Sequence, residues 1–169
     1  NWPMKRASAA IRIDGYSLDL RTASRIATGA KVIITSSARS NVARSRKLVA
    51  GYAQGDSPVY GINTGFGYLA RSKVSKNELS DLQVNIIRSH AAGHGAPLSQ
   101  EETRLILALR LNLLIKGFSG VRFELCEHIL KFLDKGIYPV VPEYGSVGAS
   151  GDLIPLAHVG LGLLGEGDV

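Results

Sequence analysis

Hydrophobic residues recur at three- and four-residue steps along much of the chain, the spacing that places them on one face of a helix. Residues 22–28 predict a short helix that Gly29 stops. A longer helix follows, which Ser36 and Ser37 can cap and which the Gly-Asp-Ser-Pro sequence at 55–58 ends. Its apolar stripe consists of Ala38, Val42, Val49 and Ala53.

Three further helices are predicted between residues 78 and 136. The first covers 78–89, and its apolar face carries His90 at the end. The second begins with Ser99-Gln-Glu-Glu102, which has the form of a capping box, and Gly136 closes the third. The predicted stripe of the second helix is Leu105, Ile106, Leu109 and Leu113, with Arg104 and Arg110 off it and Asn112 beside it. The predicted stripe of the third is Val121, Leu125, Ile129, Phe132 and Leu133.

Extended segments are short. Alternating residues at 11–13 and 16–20, together with 31–35, predict brief strands. The five helices therefore make the chain mainly α. A loop of small residues at 145–152 then opens into the apolar run 153–164, which predicts a buried helix.

Composition supports a folded chain and excludes several classes of protein. With 169 residues, of which 45% are hydrophobic, the chain can form one domain with a real core. A net charge of +6 with few aromatic residues indicates a weakly basic surface rather than a nucleic-acid groove. The single cysteine, Cys126, excludes an internal disulfide and fits packing in a reducing compartment. No apolar run is long enough to span a bilayer, and no signal peptide is evident, so a cytoplasmic location is expected.

The loop Gly-Ser-Val-Gly-Ala-Ser-Gly-Asp at 145–152 allows two interpretations. In the first, Ser150 and Asp152 cap the helix that follows, whose first turn tolerates Pro155. In the second, the loop carries chemistry. From Gly145 to His158 the sequence closely resembles the signature of the aromatic amino acid ammonia-lyases and aminomutases.

The resemblance implies a cofactor made from the chain itself. In this family the triplet matching Ala149, Ser150 and Gly151 condenses into 4-methylideneimidazol-5-one, with the Gly151 amide nitrogen attacking the Ala149 carbonyl. No ordinary side chain is a good electrophile, which explains why such a group is needed. Asp152 is assigned a supporting role, since the helix that begins near it would direct its positive end toward the loop.

Two more stretches resemble motifs of the same family. Val-Tyr-Gly-Ile-Asn-Thr-Gly-Phe-Gly at 59–67 matches a loop whose tyrosine, here Tyr60, acts as acid or base on the substrate, and Gly67 is assigned to substrate binding. Asn-x-x-Arg-Ser-His-Ala-Ala-Gly at 85–93 matches a motif whose histidine, here His90, reaches the ring of the substrate. The spacing of His90 and His94 would also suit two metal ligands on a helix, but no convincing third ligand accompanies them, so no metal is expected.

The resemblance extends from about residue 20 to 165, and the whole chain, 1–169, is similar to the N-terminal part of the longer family enzymes. It implies the start of the ammonia-lyase fold, with short extended pieces leading into a central helical bundle. The family's members are homotetramers with sites shared between subunits. The chain is therefore expected to act as a homo-oligomer or together with a complementary C-terminal chain.

The implied activity is elimination of ammonia from an aromatic L-amino acid. Tyr60 would remove a proton from the β carbon, and an arylacrylate would leave. Ser89 and His90 suit a polar ring, which favours L-histidine as the substrate, giving urocanate, and then L-tyrosine, giving coumarate. A tyrosine or phenylalanine aminomutase is the alternative within the family. A non-catalytic helical fragment that assembles with a partner is the alternative outside it.

Overall fold

The computed structural model describes residues 9–65 and 78–169, and within them the chain is mainly α, as predicted. The helices are α1 (Leu20–Ala27), α2 (Ser36–Gln54), α3 (Leu79–His90), α4 (Gln100–Leu114), α5 (Phe123–Lys135) and α6 (Leu153–Leu164). The strands are β1 (Ile11–Ile13), β2 (Val32–Ile34), β3 (His94–Pro97) and β4 (Pro142–Tyr144). In this described part, no helix combines the length and the apolar character needed to cross a membrane.

The N-terminal unit is a pair of parallel strands connected by α1. Ile11 pairs with Val32 and Ile13 with Ile34, which confirms two of the predicted extended segments. The third, at 16–20, is wrong. The Asp14 carboxylate accepts hydrogen bonds from the backbone nitrogens of Tyr16 and Ser17, both at 2.8 Å. Such local bonds favour a turn over a strand, and α1 then starts two residues before the predicted position.

The buried face of α4 differs from the predicted one. Leu109 and Leu113 are each 48% exposed. The buried side is formed instead by Thr103, Arg104, Leu107, Ala108, Leu111 and Leu114. Leucine and isoleucine occupy most sides of this helix, so hydrophobic periodicity alone does not select a face. The predicted capping box is confirmed, because Ser99 and Glu102 exchange side-chain and backbone hydrogen bonds.

Arg104 is part of the core, although the sequence pattern placed it off the buried stripe. It is 5% exposed, and its guanidinium donates to the carbonyls of Ile26, Ala30 and Leu133 and to the Tyr138 hydroxyl. The three carbonyls lie in or just after the last turns of α1 and α5, where the last carbonyls of a helix lack their usual partners four residues further on. One buried cation therefore joins three helices.

The remaining predictions for the scaffold are mixed. Gly136 ends α5 in the left-handed conformation, and Cys126 is buried, both as expected. Burial raises the pKa of the Cys126 thiol to about 11, so this thiol is not an activated nucleophile. Ser36 and Ser37 do not cap α2; Thr35 occupies the cap position, without a side-chain cap bond.

Candidate functional site

The loop that precedes α6 forms a tight turn around Val147. Residues Gly148–Ser150 make one turn of 3-10 helix, and Gly151 follows in the left-handed conformation with φ of 84°. The Val147 carbonyl accepts from the backbone nitrogen of Ser150 at 2.9 Å and from its hydroxyl at 2.7 Å. The Ser150 hydroxyl is thus held by its own loop, and the triplet of Ala149, Ser150 and Gly151 is exposed.

The residues of the triplet fit the ring-shaped group that the sequence implies. A Cβ atom at Gly148 or Gly151 would meet nothing within 4 Å, so the surroundings leave space for the backbone to rearrange. The positive φ of Gly151 disfavours any side chain at this residue, whose nitrogen is the one predicted to attack the Ala149 carbonyl. In the open chain that nitrogen donates one hydrogen bond, to the Gly148 carbonyl at 3.1 Å. The predicted condensation would break this hydrogen bond.

Capping of α6 by Ser150 and Asp152 is wrong as a prediction. Asp152 does occupy the cap position, but in the left-handed conformation with φ of 56° and without a side-chain cap bond. Its carboxylate instead accepts a hydrogen bond from the Ser146 hydroxyl, which closes the loop across its base. The side chain of the cap residue therefore makes no bond to the first amides of α6, and a helix favours negative charge at this end.

His90 ends α3 and is half-buried, in agreement with its predicted place on the apolar side. Its Nδ1 atom lies 2.8 Å from the Ile86 carbonyl oxygen and 3.1 Å from the Ser89 hydroxyl. Because a carbonyl can only accept, we assign the proton to Nδ1. In the neutral ring this leaves Nε2 as an acceptor for a partner outside the helix.

His94 does not share a helix face with His90. It lies in β3, beyond the end of α3, and its ring packs against Tyr144 with centroids 5.2 Å apart. The spacing of two metal ligands on one helix is therefore not realised. Among the residues that the structure describes, no group of three His, Cys, Asp or Glu side chains is placed to hold a metal ion.

The turn after His90 packs directly against the loop that contains the triplet. β3 pairs with β4 in antiparallel orientation, with His94 opposite Tyr144. A Cβ on Gly145 would lie 3.4 Å from the Cα of Gly93 and 2.6 Å from a methyl group of Ile154. The Gly93 nitrogen also donates to His158 Nε2 on α6 at 3.0 Å. Two of the three motifs are thus parts of one packed unit.

Tyr60 lies on a turn that is anchored by Asn63. The tyrosine is 63% exposed, whereas Asn63 is only 2% exposed. The Asn63 amide accepts from the Val59 nitrogen at 2.7 Å and donates to the carbonyls of Ser57, Tyr52 and Gly55. These partners belong to the end of α2 and the segment after it. The motif at 59–67 is therefore held by α2, whereas the motifs at 85–93 and 145–158 pack against each other.

The substrate-binding prediction for Gly67 lies outside the described residues. Asn63 and His158 make hydrogen bonds that hold the motifs in place, and neither residue was singled out from the sequence. Both are inside the motifs, so the motifs themselves were the available signal. Burial lowers the pKa of His158, which favours the neutral ring that its contact with Gly93 requires.

Comparison with known proteins defines the class of this chain. A family model described as aromatic amino acid lyase matches residues 18–169, and the chain belongs to that family. The resemblance on which the site was predicted is thereby confirmed. The chain spans less than a third of the length of the curated relatives that it matches.

Among particular proteins, the chain is 50% identical over 159 residues to a histidine ammonia-lyase of Myxococcus xanthus, covering 94% of this chain and 31% of that protein. The solved structure of histidine ammonia-lyase from Trypanosoma cruzi is similar with a TM-score of 0.85 and 39% identity, covering 94% of this chain and 30% of that one. Tyrosine aminomutase from Streptomyces globisporus gives a TM-score of 0.83 and 38% identity, over 89% and 28%. The fold is that of the ammonia-lyases.

Proposed function

We propose that this chain provides the electrophile-forming part of an ammonia-lyase that acts on an aromatic L-amino acid, with L-histidine as the favoured substrate. The observation that carries the proposal is the loop at 145–152. It holds Ala149, Ser150 and Gly151 in one exposed turn, with open space at Gly151 and a helix N-terminus beside it. The relatives named histidine ammonia-lyase support the choice of substrate.

The cofactor that we propose is 4-methylideneimidazol-5-one, formed from the triplet, and it would supply an electrophile that makes the substrate amine a better leaving group. The residues of the triplet are small enough to condense, and the loop is closed at its base by Ser146 and Asp152. The N-terminus of α6, which begins two residues after Gly151, would favour negative charge that develops on this group.

Tyr60 is the proposed base that takes the proton from the substrate's β carbon. The residue as a whole is 63% exposed, and the Asn63 bonds fix the turn that carries it. A carbon-bound proton of this kind is weakly acidic, so the site must stabilise the tyrosinate once the enzyme is complete. Tyr60 and the triplet are both exposed on this chain. Their exposure fits a site that the additional sequence of the longer relatives would cover.

His90 is the proposed contact to the substrate ring. With its proton on Nδ1, its Nε2 can accept a hydrogen bond from an imidazole N–H or from a phenol O–H. A phenyl ring offers no such donor, and a buried acceptor left unpaired costs affinity. This chemistry favours L-histidine or L-tyrosine over L-phenylalanine. Gly67 is proposed to line the same substrate site.

The structural similarity to a tyrosine aminomutase supports a second candidate, a 2,3-aminomutase that returns the amine to the β carbon. The two activities would share the same residues on this chain. They are separated by their products, since an ammonia-lyase releases ammonia with urocanate or coumarate, and an aminomutase yields a β-amino acid.

Activity is proposed to need the chain that the relatives have in addition, assembled as a homo-oligomer, a tetramer by resemblance. Domain extent over 1–169 and a cytoplasmic location stay predictions. The proposal is tested in a chimera in which residues 18–169 replace the matching segment of the Myxococcus xanthus enzyme, compared with the 169-residue chain alone. The unsubstituted chimera should form urocanate from L-histidine, and the chain alone should not.

Ser150→Ala and Ser119→Ala provide the matched pair. Ser119 is an exposed serine outside the loop. The chimera should have a mass lower than its sequence predicts by two water molecules, together with near-ultraviolet absorbance, and both should vanish in Ser150→Ala but persist in Ser119→Ala. An active chimera with an unmodified mass would refute the proposed cofactor. A chimera that assembles and carries the modification but releases no ammonia from any aromatic amino acid would refute the lyase activity.

A further inference from the structure

We infer that His158 is a positioning residue, which holds the turn after His90 in register with the loop that contains the Ala149-Ser150-Gly151 triplet. This inference rests on the proposed function. His158 lies on α6, six residues beyond Asp152, and accepts a hydrogen bond from the Gly93 nitrogen at 3.0 Å across 65 residues of sequence. The contact joins the element that follows the triplet to the turn that follows the proposed ring-binding histidine.

The contact depends on close packing of backbone groups on both sides. A Cβ on Gly93 would lie 3.0 Å from His158 Nε2 and 3.1 Å from the Tyr144 carbonyl oxygen. Glycine at this position allows the amide to reach the imidazole. On the opposite side, Gly145 has φ of 138° and approaches the Cα of Gly93 closely. The turn is therefore confined between α6 and the start of the loop.

The chemistry of the bond defines the state of His158. A backbone N–H can only donate, so Nε2 must offer its lone pair and the proton must lie on Nδ1. Partial burial favours the same neutral form. A protonated ring would present N–H groups at both nitrogens and lose this bond. A neutral acceptor of the right length is thus what the position requires.

The consequence for the site follows from chain connectivity. Gly93 is three residues after His90, and α6 starts two residues after Gly151. A shift of the turn relative to α6 would therefore change the distance between the proposed ring contact and the electrophile-forming triplet. Errors of about 1 Å in such distances are costly to catalysis.

The test uses His158→Leu, His158→Gln and the control His128→Leu, each in the chimera with the Myxococcus xanthus enzyme. Leucine removes the acceptor, and glutamine places an amide oxygen near the position of Nε2. His128 is an exposed histidine on α5 whose ring contacts Phe132. Kinetics are expressed per cofactor-bearing site, so that loss of folded protein does not count as loss of positioning.

We expect His158→Leu to lower kcat/KM for L-histidine at least about tenfold, mainly by lowering kcat, since the ring contact and the triplet would no longer be held at the productive distance. Glutamine should restore it to within about threefold, and His128→Leu should match the unsubstituted protein. Near-ultraviolet absorbance should persist in all of them. Equal loss with leucine and glutamine, or no loss with leucine, would overturn the inference while leaving the lyase proposal intact.

Amide hydrogen exchange of residues 91–95 gives a second readout that does not depend on turnover. His158→Leu should speed exchange of this segment, and His158→Gln should return it toward the original rate. Unchanged exchange in His158→Leu would overturn the inference even if activity fell. The two variants could change the exchange of this segment as expected in a chimera that has no activity with any substrate. That result would count against the proposed function instead.

Discussion

Replacing Arg104 with methionine should destabilise the chain more than any exposed substitution on the same helix. The guanidinium donates four hydrogen bonds of 2.6–3.0 Å, three of them to carbonyls of distant segments. Methionine fills much of the same volume but donates nothing. The carbonyls of Ile26, Ala30 and Leu133 would lose a donor in a region that water reaches poorly, because Arg104 is 5% exposed.

The magnitude follows from the acceptors that the substitution leaves behind. The Ile26 carbonyl keeps the Gly29 nitrogen as a donor, so the loss falls mainly on the carbonyls of Ala30 and Leu133. A buried acceptor left without its donor costs about 1–3 kcal/mol, so two such groups give a loss of about 4 kcal/mol in the free energy of unfolding. Lysine keeps the charge but lacks the planar fork, so Arg104→Lys should lose about half as much.

Urea unfolding of the 169-residue chain, followed by circular dichroism, measures the effect. At a typical dependence of about 2 kcal/mol per molar urea, the midpoint should fall by about 2 M for Arg104→Met. Arg110→Met is the matched control, on the same helix, where the arginine is half-buried and burial lowers the pKa of its guanidinium. It should lose at most about 1 kcal/mol. Equal midpoints for the two methionine variants would refute the reasoning.

Three further outcomes are expected. Asn63→Asp should lower kcat of the chimera at least about tenfold with near-ultraviolet absorbance intact, since a carboxylate cannot donate to the three carbonyls that fix the turn of Tyr60; unchanged kcat would contradict this. His90→Phe should raise the kcat/KM ratio of L-phenylalanine to L-histidine, and an unchanged ratio would show that the ring binds elsewhere. Hydrogen bonds from Ser99 lower the pKa of Glu102, so its contribution to stability is present above about pH 4.5 and is lost as pH falls through the lowered value. Glu102→Gln should therefore reduce the fall of the urea midpoint between about pH 5 and pH 3, and an undiminished fall would exclude this carboxylate as its source.

Helix positions were predictable where local chemistry defines them. The Ser99 capping box and the glycine after α5 use bonds between residues a few positions apart, and both are present in the structure. The orientation of α4 was not predictable, because apolar side chains surround most of that helix. Arg104 was misassigned for a related reason. Its partners, such as Ile26, are far away in sequence, and a pattern within one helix carries no information about them.

The candidate site shows the same division. The resemblance selected Tyr60, His90 and the triplet as local motifs, but it does not say how the motifs are held. His158 contacts Gly93 across 65 residues, and this contact becomes apparent only when the chain is folded. Asp152 illustrates the opposite error. A capping role fits its sequence position, yet the Ser146 hydroxyl is a better-placed partner, and the backbone adopts a left-handed conformation there.

Three glycines of the loop illustrate why a motif mixes packing with chemistry. Gly145 has a positive φ, and a Cβ there would lie 2.6 Å from Ile154, so a side chain would separate the loop from α6. Gly151 has open space but also a positive φ, and it supplies the nitrogen proposed to attack the Ala149 carbonyl. Gly148 has open space and no such conformation, so neither sterics nor backbone demands glycine there. Glycine at 145 therefore serves the scaffold and glycine at 151 serves the proposed reaction, a distinction that residue identity alone does not reveal.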